Sequence, residues 1–232
     1  MTEQPFVLVR GEVVREVPPE IARFSVTVAA RDRNRPAALA RLAERSEAVR
    51  TLVDGYGDAI ERRETGNLWV RPELKRSGEK VTGYAGSATT TVTVTDFGVL
   101  GELMLRLADQ DQSTVSGPWW ELRPGSPVHR EARRAAVAEA VARAREYADA
   151  LGAEVTALLQ LADAGLTAQP MMMTRAAHTM GYAAAAGGAP PELELDPQVQ
   201  TVQATVEARF AITPPPLADG PSADGDHRAA AG

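Results

Sequence analysis

Period-two alternation marks the clearest segments of the chain. Across residues 21–30, Ala22, Phe24, Val26, Val28 and Ala30 fall on one side and Arg23, Ser25 and Thr27 on the other. That pattern predicts a half-buried strand. Residues 198–212 repeat it, with Val202, Ala204, Val206, Ala208, Phe210 and Ile212 set against Gln203, Thr205, Glu207 and Arg209. Residues 81–95 give the longest strand, β-branched toward its end. Residues 7–17 form another on Val7, Val9 and Val13, with Gly11 suggesting a bulge or kink. Pro18-Pro19 predicts a hairpin turn back into residues 21–30. Residues 59–71 read as a strand that is polar for much of its length, followed by a charged, exposed turn over 72–80. Residues 154–163 place Val155, Ala157, Leu159 and Leu161 inward. In the strand over 112–123, Pro118 predicts an edge or bulged position, and Trp119 and Trp120 point to opposite faces.

Helical spacing takes over in three places. Pro36 opens a helix striped by Leu39, Leu42, Val49, Leu52 and Val53, with Ser46 its weak position and Gly55 and Gly57 as the stop. Asp96 is set to cap a helix over 97–109 with Val99, Leu100, Leu103 and Leu107 inward. Ser126 is set to cap a longer helix over 127–151. Its stripe runs Val137, Val141, Ala144, Ala148, Leu151, and its alanines allow close approach to a sheet. Arg133, Arg134, Arg143 and Arg145 interleave there with Glu131, Glu139, Glu146 and Asp149, a mixed solvated face rather than an anion site.

The order is ββ-α-β-β-α-β-α-β-β. Hairpin-connected strands with alternating faces predict an α+β fold, antiparallel sheets with helices packed on one face, and not a doubly wound parallel sheet. Residues 165–196 form a long Met-, Ala- and Gly-rich insertion, and residues 214–232 a disordered tail.

Composition narrows the chemistry. The 232 residues include no cysteine, which removes disulfides, thiolate metal sites and a Cys nucleophile. Aromatic residues are 5% and the formal charge is −6, from 25 basic and 31 acidic residues, so no nucleic-acid partner is expected. No stretch approaches the roughly 18 apolar residues of a membrane span. The N-terminal residues, with Glu3, Arg10 and Glu12, do not read as a signal peptide, and a cytoplasmic location is expected.

No phosphate loop or G-x-S-x-G elbow is present. His129, His178 and His227 read as solvated histidines. Met171, Met172, Met173, Met180 and His178 could offer soft metal ligands or oxidisable side chains, but a flexible apolar contact loop accounts for them more simply. No cofactor or metal is expected. The candidate interface residues are Trp119, Trp120, Met171, Met172, Met173 and Met180.

Several runs taken together resemble a known family. Val81-Thr82-Gly83-Tyr84-Ala85, Thr91-Val92-Thr93-Val94, Asp96, Gly101-Glu102-Leu103 and Ser116-Gly117 stand in the order of its first stretch. Glu131-Ala132-Arg133 with Ala135, Ala136, Ala140, Ala144, Tyr147-Ala148 and Leu151-Gly152-Ala153 is similar to its alanine-rich helix. Val9-Arg10-Gly11-Glu12, Pro19-Glu20-Ile21-Ala22 and the strand over 201–212 match its opening and close. The resemblance is to the SIMPL-domain family and covers residues 5–213. It implies two small intertwined two-layer parts, self-assembly into a homo-oligomer, a loose link to oxidative-stress defence, and no enzyme activity or catalytic residue to carry over. The alternative is a small-molecule-binding protein or hydrolase with a pocket between subdomains.

Overall fold

The computed structural model describes residues 4–75, 80–163 and 193–216. Its strands are β1 (Phe6–Val17), β2 (Ile21–Asp32), β3 (Ile60–Leu74), β4 (Val81–Val94), β5 (Ser113–Glu121), β6 (Val155–Asp163) and β7 (Gln200–Ile212). Its helices are α1 (Arg35–Asp54), α2 (Leu100–Ala108) and α3 (Pro127–Ala150). The strands form two sheets, ordered β1-β7-β6 and β3-β4-β2-β5. The architecture is α+β, and the chain divides into two compact units, one around each sheet. Among the described residues no helix is long and apolar enough to cross a membrane.

The predicted hairpin between the first two strands does not form. β1 lies beside β7, and β2 lies between β4 and β5 in the other sheet. Two consecutive prolines fix φ and remove two donors, so they cannot close a tight two-residue turn. They carry the chain from one sheet to the other instead. The β1/β7 ladder is antiparallel: Ile212 N donates to Pro5 O, and Arg10 faces Glu207.

In the three-stranded unit, Ala132, Ala136, Ala140, Ala144 and Ala148 are all fully buried. Their four-residue spacing puts them on one face of α3. Val9, Val206, Ala208 and Phe210 meet that face. The expected stripe is therefore displaced: Val137 and Val141 sit on its shoulders, and Leu151 is exposed. Gly11 explains the displacement. A Cβ there would stand 2.0 Å from Ala136 O and 2.6 Å from Ala140 N. So Gly11 marks a helix backbone lying directly on a strand, not the bulge or kink that its sequence position suggests.

β6 departs further from expectation. Leu159 and Leu161, expected inward, are each about half exposed, as is their neighbour Leu158. Register shifts at Val155/Ala157 and Leu158/Gln160 break the alternation, and the strand lies at the edge of its sheet.

In the four-stranded unit, Phe24, Val26, Val92 and Val94 on the sheet pack against Val49 and Val53 of α1 and Leu100, Leu103 and Leu107 of α2. The buried stripe of α1 is Ala38, Leu42, Val49 and Val53, while Leu39 is exposed. Ser46 donates to Leu42 O at 2.8 Å, which satisfies its hydroxyl inside the helix. Asp96 caps a 3-10 turn (Phe97–Val99) by accepting from Gly98 N at 2.9 Å, and α2 begins only after it. β3 continues through Pro72 to Leu74, three residues past its expected end, which an edge strand tolerates. Residues 193–195, the described end of the long insertion, lie against α2. Leu195 joins the core there, and a Cβ at Gly101 would stand 1.9 Å from Leu193 O.

Past the end of α1, the Tyr56 hydroxyl donates to Glu102 at 3.0 Å and accepts from Arg106 at 3.1 Å. Burial pushes the Tyr56 phenol above its ordinary value of 10.0; Arg106 opposes the rise and Glu102 adds to it.

Two outcomes follow from this packing. Gly11→Ala forces the α3 backbone away from β1 and is expected to cost about 1–3 kcal/mol, read as a lower urea midpoint. An unchanged midpoint would contradict the contact. Tyr56 is expected to ionise above pH 10.0 in an absorbance titration, compared against Tyr56→Phe. A raised pKa means the folded state holds the phenolic proton longer than the unfolded state does. Its contribution to stability is therefore complete below the unfolded-state pKa and is lost as pH rises through the folded-state value.

Candidate functional site

The two tryptophans separate as their adjacency predicts. Trp120 pairs with Ala22, is half-buried and meets Phe97 edge-to-face at 4.9 Å. Trp119 pairs with Arg23 on the opposite face and is 49% exposed. Beside it Arg23 reaches Glu121 at 3.5 Å. Both tryptophans belong to β5, an edge strand whose register with β2 shifts between Arg23 and Ser25, beside Gly117-Pro118. Met171, Met172, Met173, Met180, His178 and His227 lie outside the described residues.

The surface concavities are open and mixed in their lining. One, of about 350 Å³, is lined by Val28, Arg41, Glu44, Arg45, Gln110 and Asp111. Arg45 is committed there to Ala29 O and the Asp111 carboxylate. A second, of about 330 Å³, gathers His129, Arg133, Asp163, Gln203 and Thr205. Each lies within a single unit. Among the described residues no group of three or more His, Cys, Asp or Glu is placed to hold a metal ion.

The open edges are the more distinctive surfaces. β6 presents Leu158, Leu159 and Leu161 at one side of its sheet. At one side of the other, β3 is exposed over nearly its whole length. Leu68 is 62% exposed, and Trp69 carries Arg71 over its ring at 4.6 Å. Neither set was singled out from the sequence as an interaction surface. The adjacent pair Leu158-Leu159 was the available signal, since period two cannot bury both.

The comparisons bear on the whole body. The chain is 27% identical over 212 residues to the 26 kDa periplasmic immunogenic protein of Brucella melitensis, covering 82% of this chain and 80% of that one. The same protein from Brucella abortus matches to the same extent. A crystal structure named as a provisional amidohydrolase/peptidase from Burkholderia cenocepacia overlaps 51% of this chain and 34% of its own, at a TM-score of 0.29 and 20% identity, and supports no inference. The model of the SIMPL family, described as a protein of unknown function (DUF541), matches residues 7–210. With that match running from β1 into β7, the chain belongs to the SIMPL family.

Proposed function

We propose that this SIMPL protein acts without enzymatic chemistry, as a homo-oligomer assembled through its sheet edges, in defence against oxidative stress. The observation that carries the reading is β6, where three leucines stand half exposed along a strand whose outer edge has no partner strand among the described residues. Unpaired backbone groups and exposed apolar side chains on one edge favour pairing with another chain. Burying the remaining halves of three leucines contributes roughly 3 kcal/mol. Association costs about 4–15 kcal/mol in lost freedom, so leucine burial alone does not hold an assembly together. The ladder hydrogen bonds, or a second edge, have to contribute the remainder. Trp119 at the β5 edge, and the methionines at 171–173 and 180, are further proposed contacts. The Brucella relatives are periplasmic by name, which favours a cell-envelope location over the expected cytoplasmic one.

Light scattering across a dilution series is expected to give a mass of several chains. Replacing Leu158, Leu159 and Leu161 together by Lys is expected to lower that mass while far-UV circular dichroism is unchanged. A single-chain mass at every concentration would overturn the assembly. A deletion strain that survives peroxide as well as its parent would remove the link to stress.

A further inference from the structure

We propose that β3 is a self-pairing edge, adding antiparallel to the β3 of a second copy about a two-fold axis, in a register fixed by its own charges. This rests on the self-association proposed above and names one of its surfaces.

A bulge interrupts β3. β3 pairs with β4 as Arg62↔Thr93, Glu64↔Thr91 and Thr65↔Thr90, then slips by one residue before Leu68↔Ala88 and Trp69↔Ser87. The extra residue lies at Gly66-Asn67 and moves the alternation from even to odd positions. Arg62 and Glu64 before it therefore share the helix-free face of the sheet with Trp69, Arg71 and Glu73 after it. Their partners Thr93, Thr91, Ser87, Ala85 and Gly83 alternate with Val94, Val92 and Ala88 of the core face.

A two-fold axis normal to the sheet keeps each side chain on its own face, so the charges before the bulge meet those after it on the second copy. Placing Leu68 on the axis sets Arg62 opposite the partner's Glu73 and Glu64 opposite the partner's Arg71. Symmetry repeats both pairs. Sliding the ladder one way by one face-preserving step brings Arg62 against the partner's Arg71; sliding it the other way brings Glu64 against the partner's Glu73. Only the central register sets opposite charges together at both positions, and like charges directly opposite are unfavourable. In that register Leu68, 62% exposed, meets the partner's Leu68, and Trp69 lies across from the partner's Gly66-Asn67.

In the free chain these groups hold local partners that the new pairs replace. Arg62 makes an exposed pair with Glu64 at 3.3 Å, and Arg31 engages Glu73 from the side. Arg71 stacks on Trp69. Pro72 has no N–H to donate, so the Arg62–Glu73 pairs flank the end of the new ladder. The product is a continuous eight-stranded sheet, since each copy contributes four strands with β3 outermost.

Charge reversal in the full-length protein tests the register. Glu64→Arg and Arg71→Glu are each expected to raise the dissociation constant about tenfold, by turning two attractive pairs repulsive. The double variant Glu64→Arg/Arg71→Glu restores opposite charges and is expected to recover it. Both positions are exposed, and circular dichroism reports whether each variant folds. An oligomer indifferent to both single reversals would overturn the β3 interface and leave the self-association reading to β6. Single variants that weaken association without rescue by the double would overturn the register. A single-chain mass for the unmutated protein would overturn both proposals.

Discussion

A backbone N–H or C=O at the rim of a sheet needs a partner, either water or another strand. Each of the two sheets here has one face packed by helices, and neither closes into a barrel. Among the described residues that leaves two rims per sheet: β1 and β6 in one, β3 and β5 in the other. Three of these manage exposure in different ways. β5 is short and interrupted at Gly117-Pro118. β6 is bulged twice. β3 is long and charged, with a proline near its end. These are devices against indiscriminate pairing. On β3 the proposed register rests on the bulge, which brings Arg62 and Glu64 onto the same face as Arg71 and Glu73.

The cores that hold these rims in place are built differently. The four-stranded unit relies on large side chains, with Phe24, Leu100, Leu103 and Leu107 fully buried between sheet and helices. The three-stranded unit relies on closeness instead. Its helix contributes alanines, and Gly11 lets the strand approach the helix backbone itself. Small side chains bury little area each, so this unit depends on how closely the two elements fit.

Much of this was legible in the sequence. Clean alternation located β2 and β7, Asp96 and Pro36 marked helix starts, and Pro118 marked an edge. The misses have physical causes. The alanine stripe of α3 was read through its valines, because hydrophobicity ranks Val above Ala, whereas contact distance selects Ala. Gly11 read as a distortion because its partner lies more than a hundred residues away. Leu159 and Leu161 read as core because a bulge leaves no mark in composition. The β1–β2 hairpin was inferred from adjacency, which two prolines defeat. Of the interaction surfaces, Trp119 was visible as half of an adjacent pair, while the charge pattern of β3 has meaning only once its bulge is placed.

The open rims among the described residues are what supports the proposed association. Amide hydrogen exchange along β3 tests this most directly, measured in the full-length protein across a dilution series. The amides of β3 that face away from β4 are expected to exchange slowly at high concentration and fast on dilution, in step with the loss of assembled mass. Fast exchange of those amides at every concentration, in a sample whose mass shows it to be assembled, would contradict the pairing.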